Sequence, residues 1–294
     1  MRHKLNPEER QRRRKRFVQR SKFALPSAIT LISVLCGFSS VVISINATNI
    51  PDKTNYFLWA ATLIILAALF DGIDGRVARA TKTTSEFGVQ LDSLADVLSF
   101  GMAPAILAYV YGFMEIGQTD SHARAVGWAA SFFFLACGAL RLARFNIQAE
   151  RTDPRFFVGM PIPLGAVCIA SVILKWPTQI ESTMMAYIFS GELFLVGLLM
   201  ISTLSFPSFK KRSHHPKATT WITVSFLALL CLLVILKATF FIWFFATYTV
   251  LSLAMNLGWH FGWKGIHPPP STKAQKPSPH QQQNIDEFTS DDLQ

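Results

Sequence analysis

The chain has 294 residues and a formal net charge of +10, and 51% of its residues, including 25 phenylalanines, are hydrophobic. A soluble globular protein of this length buries a sizeable core but does not normally carry so many long apolar runs. The composition therefore excludes an ordinary soluble domain. It indicates an all-α integral membrane protein with several spans.

Residues 1–24 form a basic arm ahead of the first apolar segment. Asn6, Pro7 and the two acidic residues that follow are a favourable helix start. The arm is either a solvated, partly disordered segment or an interfacial helix on anionic headgroups, where each Lys or Arg contributes roughly 1 kcal/mol. Its charged region and the apolar stretch after it are too long for a signal peptide, so we predict a retained first helix. We expect no nucleic-acid partner.

Eight segments have the length and composition of membrane spans, each of which needs about 20 mostly apolar residues. They are residues 25–46, 56–72, 92–114, 125–146, 160–176, 184–205, 221–237 and 239–258. The first six make up a predicted membrane core, residues 25–205. The last two, within residues 221–258, are additional helices or a single re-entrant hairpin, because only Lys237-Ala-Thr separates them.

Two polar segments flank the additional helices. Residues 206–220 make a basic loop, in which His214 and His215 have no third metal ligand nearby, so an exposed loop is predicted. Residues 264–294 are rich in Pro, Gln, Lys and Ser and are predicted to be a disordered tail. The cysteines lie in apolar spans without paired spacing, and we expect reduced packing residues rather than disulfides or metal ligands. They are Cys36, Cys137, Cys168 and Cys231.

The basic residues divide unevenly between the two sides of the predicted membrane. With the N-terminus inside, 24 of the 28 Lys and Arg residues fall in or beside inside segments. The outside loops hold only Lys53, Arg124, Lys175 and Lys237. The positive-inside rule then places both termini in the cytoplasm. We expect the inner membrane of a bacterium.

Four aspartates lie in one short stretch at the cytoplasmic ends of the second and third spans. They are Asp71, Asp74, Asp92 and Asp96. The first pair is three residues apart and the second pair four, so each pair shares a helix face. Acids at the edge of a membrane core are costly and tend to be functional. One aspartate alone could cap a helix or pair with a nearby basic residue, but four oxygen ligands together favour one or two Mg²⁺ or Mn²⁺ ions.

Small residues and an arginine accompany these acids. Gly75 and Ala78 leave little side chain beside Asp74, and Gly88 gives the second helix the same close approach. Arg79 could neutralise a phosphate through two parallel hydrogen bonds. The pattern favours a diphosphate site. A divalent-cation transporter is the alternative from another class, but the acids lie at one face with no polar ladder across the bilayer.

The stretch 71–96 resembles, at every defined position, the signature of the CDP-alcohol phosphatidyltransferases, D-x2-D-G-x2-A-R-x8-G-x3-D-x3-D. The resemblance implies an intramembrane enzyme with a six-helix core, commonly a homodimer, that displaces CMP from a CDP-linked lipid with an alcohol. It implies that the four aspartates hold two divalent metals and that Asp96 is also the general base. Gly75, Ala78 and Arg79, with Gly88 nearby, would receive the cytidine and the diphosphate.

The sequence around this signature resembles the branch of that family that uses L-serine. The similar segments are 25–30, 85–88, 91–97, 99–104, 141–146 and 159–163, although Ser27 stands where the branch often has Asn. The resemblance implies transfer of a phosphatidyl group from CDP-diacylglycerol to L-serine. The products would be phosphatidylserine and CMP, and the surrounding membrane lipids are the other expected partners.

Two arginines bear on the choice of acceptor. Arg141 and Arg144 lie one turn apart near the cytoplasmic end of an apolar helix, where snorkelling and topology already explain them. They could instead bind the carboxylate of serine, with Asn146 adding a polar contact. Choline has no carboxylate. Glycerol 3-phosphate and inositol phosphate are anionic, so the arginines do not exclude these acceptors, and the serine prediction depends on the resemblance.

Overall fold

The computed structural model describes residues 7–81, 86–148, 156–203 and 205–207, together with single helical positions between 247 and 257. The predicted tail, Cys231 and the two adjacent histidines lie outside the described residues. The span 221–237 also lies outside them, as does nearly all of 239–258. The side chains of 7–26 and 76–86 are likewise not described, and neither are those of the two strands given below.

Eight α-helices occur in the described part of the chain. They are α1 Pro7–Asn46, α2 Thr54–Thr81, α3 Glu86–Asp96, α4 Ala103–Gly112, α5 Ile116–Thr119, α6 Ser121–Gln148, α7 Ile162–Lys175 and α8 Thr183–Ile201. Five segments are long and apolar enough to cross a membrane: Ser27–Asn49, Thr54–Gly75, Phe87–Gly112, Ser121–Ile147 and Thr183–Ile201. The prediction of a helical integral membrane protein is confirmed.

The fifth predicted span is shorter than the sequence indicated. Pro161 is extended (φ −61°, ψ 138°), and α7 begins only at Ile162, so the helix has 14 residues. At 1.5 Å per residue it is about 21 Å long, against a hydrocarbon core of about 30 Å. The segment before it forms a three-residue strand, β1 Phe156–Val158, which pairs antiparallel with β2 Ser205–Pro207. These strands are a local addition to the helical bundle, and β2 includes the first two residues of the predicted basic loop.

The first turns of α2 and α6 are capped by aspartate side chains, and α1 begins at a proline. α1 begins at Pro7, as predicted, and runs unbroken for 40 residues. The backbone N–H of Thr54 donates to Asp52 Oδ1 (3.1 Å) at the start of α2, and this hydrogen bond lowers the pKa of the Asp52 carboxyl. Asp120 Oδ1 accepts the N–H groups of His122 and Ala123 at the start of α6. Such side-chain caps satisfy donors that the first turn of a helix leaves unpaired.

A π-helical stretch, Val97–Met102, joins α3 to α4. The N–H of Ala103 donates to the carbonyl of Leu98, five residues earlier. The next residue, Pro104, has no N–H to donate, so the regular α-helical register cannot continue through this point. A π segment changes the register without ending the helix. It lies directly after Asp96 and therefore fixes how α3 meets α4.

The core lies where α1 packs along α2, α6 along α8 and α2 against α7. The three described cysteines are buried and not joined in disulfides, as predicted. At the end of the bundle away from the aspartates, Lys53 Nζ contacts Glu115 and donates to Gln179 Oε1 (2.7 Å). This contact links the α1–α2 turn to the α4–α5 and α7–α8 connections.

Candidate active site

Three of the four aspartates converge at one end of the bundle. Asp71 and Asp74 lie in the last part of α2, and Asp92 lies in α3. One carboxylate oxygen from each lies within 4.8 Å of the others. The chain reverses direction between α2 and α3, so residues about twenty apart in sequence lie close together. We call Asp71, Asp74 and Asp92 the carboxylate cluster.

Asp96 adjoins the cluster on the side of Asp71. The carboxyl groups of Asp71 and Asp96 are within hydrogen-bonding reach of each other, and Asp92 acts on both electrostatically. Oδ1 of Asp96 is buried and has no hydrogen-bond partner among the described residues. A buried acceptor without a partner is costly, so this atom is a natural contact for a ligand.

The donor set fits a hard divalent cation. The cluster offers only oxygen atoms, which Mg²⁺, Mn²⁺ and Ca²⁺ prefer. The three carboxylates of the cluster repel one another strongly at this separation, and the repulsion increases as water is excluded. The attraction of each carboxylate to a cation between them would outweigh their mutual repulsion. The cluster could therefore bind a metal ion.

Asp74 is the most deeply placed member of the cluster, with 3% of its surface exposed. Its Oδ2 accepts a hydrogen bond of 2.8 Å from the hydroxyl of Thr30, on α1. The sequence pattern alone does not assign a role to Thr30. A signal was present, because small or hydroxyl residues recur along this apolar helix at intervals of three and four. These residues are Thr30, Ser33, Gly37, Ser40 and Ser44.

Arg141 lies on α6 beside Asp96. Only 6% of its surface is exposed, and its guanidinium lies 5.2 Å from the centre of the Phe145 ring. Asp96 and Arg141 attract each other electrostatically. Within the described ranges, the Nε atom of Arg141 has no hydrogen-bond partner. The structure thus brings together a buried arginine and a half-buried carboxylate, each with one buried atom that could contact a ligand.

The other two predicted acceptor residues have protein partners. Arg144 donates from Nη1 to the carbonyl of Ile201 (2.9 Å) and from Nη2 to that of Ser202 (3.0 Å). These carbonyls belong to the end of α8, where helical partners are missing. Asn146 Nδ2 donates to the hydroxyl of Ser93 (2.9 Å), which ties α6 to α3. Their role in acceptor binding stays a prediction.

The predicted nucleotide residues follow the acids along the same helices. α2 continues to Thr81, so Gly75, Ala78 and Arg79 extend from Asp74 towards the end of the helix. Gly88 lies in α3, one turn before Asp92. The contacts of Ala78 and Arg79 fall outside the described side chains, and their role also stays a prediction.

The fold and the site together define a helical integral membrane protein with a carboxylate cluster that could bind a metal ion at one end of its bundle. Residues 23–197 match the family model described as CDP-alcohol phosphatidyltransferase. The match covers more than half of the chain, and the protein belongs to the CDP-alcohol phosphatidyltransferase family.

Curated relatives are similar over much of their length. The CDP-diacylglycerol–serine O-phosphatidyltransferase of Helicobacter pylori (strain J99) is 37% identical over 192 residues, which are 64% of this chain and 74% of that protein. The protein of the same name from Methanocaldococcus jannaschii is 31% identical, over 67% of this chain and 80% of that protein. The archaetidylserine synthase of Methanothermobacter thermautotrophicus is 34% identical, over 64% of this chain and 71% of that protein.

Proposed function

We propose that the protein transfers the phosphatidyl group of CDP-diacylglycerol to the hydroxyl of L-serine and releases CMP. The observation that carries this proposal is the pair formed by Arg141, which is buried, and Asp96, whose Oδ1 atom is buried, next to the carboxylate cluster. An acceptor that bears both a carboxylate and a hydroxyl fits such a pair. The names of the relatives favour serine over other anionic acceptors.

In this proposal the cofactor is Mg²⁺ or Mn²⁺, held as two ions by the carboxylate cluster and Asp96. When bound, the ions would neutralise the diphosphate and favour departure of the leaving group. Support comes from the oxygen-only donor set and from the repulsion of Asp71 by Asp74 and Asp92.

Asp96 is the general base of the proposed reaction. It takes the proton from the serine hydroxyl, and the serine oxygen forms a bond to the lipid-side phosphorus of the diphosphate. The bond from that phosphorus to the bridging oxygen breaks, and the bridging oxygen leaves with CMP. The proposal draws on the buried Oδ1 of Asp96, which lacks a partner among the described residues. Its contact with Asp71 puts the base at the edge of the cluster.

Arg141 binds the serine carboxylate, through Nε and a neighbouring N–H. Arg144 and Asn146 act indirectly, because they hold α6 against the end of α8 and against α3. Gly75, Ala78, Arg79 and Gly88 receive the cytidine and the diphosphate, as the family signature implies. The acyl chains of the substrate stay in the bilayer.

The site faces the cytoplasm in this proposal, and both termini are cytoplasmic in the inner membrane of a bacterium. The distribution of basic residues supports this orientation. Lys53, one of the few predicted outside cations, lies at the end of the bundle away from the cluster, in contact with Glu115 and Gln179. We also propose a homodimer, which only the family resemblance supports.

The test is CMP release by the full-length protein purified in detergent, with CDP-diacylglycerol and Mn²⁺ or Mg²⁺. L-serine, choline, glycerol 3-phosphate, inositol and inositol phosphate are supplied one at a time. Release that requires L-serine and is abolished by EDTA supports the proposal. Release with another alcohol overturns the acceptor and the role of Arg141. No release from folded protein with any acceptor overturns the transferase reaction, and Mn²⁺ uptake into liposomes would then test transport.

A further inference from the structure

We propose that Thr30 is a positioning residue that orients the carboxylate of Asp74 for cation binding. This inference depends on the cation site of the proposed function and adds a residue from a third helix to it. The Thr30 hydroxyl donates to Asp74 Oδ2 at 2.8 Å, although the two residues are 44 positions apart. Thr30 is 6% exposed and Asp74 is 3% exposed, so bulk water does not compete for this bond.

The hydrogen bond limits how the Asp74 carboxylate can turn. The terminal torsion of an aspartate is broad, so a carboxylate held only by its own helix samples many orientations. A carboxylate has about four lone-pair sites, so a hydrogen bond at one of them can orient the group without blocking the approach of a cation. Hydrogen bonds that orient a metal ligand are worth roughly 10- to 100-fold in metal affinity in other metal sites.

Two further hydrogen bonds between α1 and α2 fix how the two helices are aligned along their axes, with Thr30 opposite Asp74. The hydroxyl of Ser33 donates to the carbonyl of Ala67 (3.1 Å), and that of Ser40 donates to the carbonyl of Ala60 (2.8 Å). Their acceptors lie seven residues apart on α2, as Ala67 and Asp74 do. All three bonds run from α1 to α2. Thr30 differs because its acceptor is a side chain of the carboxylate cluster, whereas Ser33 and Ser40 bond to backbone.

Ser40 therefore provides a matched control. Thr30→Val keeps the shape of the side chain and removes the hydroxyl, Thr30→Ser keeps the hydroxyl, and Ser40→Ala removes a buried bond between the same two helices. Mn²⁺ binding is measured by electron paramagnetic resonance on the full-length protein in detergent, without substrate. We expect Thr30→Val to weaken Mn²⁺ binding by roughly 10- to 100-fold. Thr30→Ser and Ser40→Ala should stay within about threefold of the unmodified protein.

The other outcomes of the Mn²⁺ measurement count against the proposal. Unchanged Mn²⁺ affinity in Thr30→Val overturns it, and so does equal weakening by Ser40→Ala, which would assign the effect to helix packing. If Thr30→Val is not monodisperse on gel filtration, Thr30→Ala is judged by the same criteria. An unmodified protein that binds no Mn²⁺ overturns the cation site and this role together. Mn²⁺ binding without serine-dependent CMP release overturns the proposed acceptor and leaves the Thr30 comparison valid.

Discussion

Arg141→Lys separates binding of the acceptor from binding of the nucleotide lipid. The lysine keeps a positive charge beside Asp96 but loses Nε and the planar pair of donors that a carboxylate prefers. Arg141 is nearly fully buried, so its contact with an anionic acceptor would be shielded from water. The substitution therefore tests recognition of the carboxylate while it preserves most of the electrostatic balance around Asp96.

The expected effect follows from the strength of the lost contact. A hydrogen bond to a charged group contributes about 1.5–3 kcal/mol. At about 1.4 kcal/mol for each factor of ten, the loss corresponds to a decrease of roughly 10- to 150-fold in kcat/KM for L-serine. We expect most of it in the KM for serine. The KM for CDP-diacylglycerol should stay within about threefold, since the proposed nucleotide residues lie on α2 and α3.

The assay is CMP release with one substrate varied while the other is saturating. Arg144→Lys is the matched control, because Arg144 lies one turn away and is held by the carbonyls of Ile201 and Ser202. Arg144→Lys should lower the melting temperature, because it disturbs the contact with the end of α8. It should leave the KM for serine nearly unchanged. A KM for serine within twofold of the unmodified value in Arg141→Lys, with a raised KM for CDP-diacylglycerol, would refute the reasoning and move Arg141 to the nucleotide side.

Three further predictions follow from the site and its supports. Asp96→Asn should abolish CMP release, to less than about 1% of the unmodified rate, while gel filtration and melting temperature show a folded protein; near-normal turnover would contradict its role as base. Mn²⁺ at saturation should raise the melting temperature and EDTA should reverse the rise, since a ligand of the native state stabilises it; no shift would contradict a cation site in the cluster. Gly159→Ala should destabilise the protein by about 1–3 kcal/mol in a thermal melt, because Gly159 has φ +77° and a Cβ there would lie 2.3 Å from the Met200 carbonyl oxygen. Gly191→Ala, whose Cβ meets nothing within 4 Å, is its control, and equal melting temperatures for the two variants would count against that account.

The sequence was sufficient to predict the five spans that the structure describes and the convergence of Asp71, Asp74 and Asp92. Residues three or four apart in sequence lie on the same face of a helix. Asp71 and Asp74 could therefore be assigned to one face before any fold was known. The reversal between two apolar segments then brings Asp92 near them. The short α7 could also have been predicted, because Pro161 and Pro163 lie at the start of the predicted span and favour a helix that begins after them.

Contacts between distant helices were not predictable in the same way. The partner of Asp74 is 44 residues away, and the partners of Arg144 are 57 and 58 residues away. Spacing within one helix does not tell which residue of another helix lies at the same height. Arg141 and Arg144 therefore looked equivalent in the sequence, one turn apart on one helix. In the structure one faces Asp96 and the other holds the end of α8.

The position of Asp96 explains why one carboxylate can serve two parts of the proposed reaction. It lies between Asp71, a member of the carboxylate cluster, and Arg141, the proposed acceptor contact. Because Asp96 ends α3 just before the π-helical stretch, its height is set by the packing of that stretch against α1, where a Cβ on Gly37 would approach the Cα of Ser99 to 2.8 Å. Helix α1 thus contacts both sides of the site, at Asp74 through Thr30 and at the π-helical stretch after Asp96 through the close approach at Gly37.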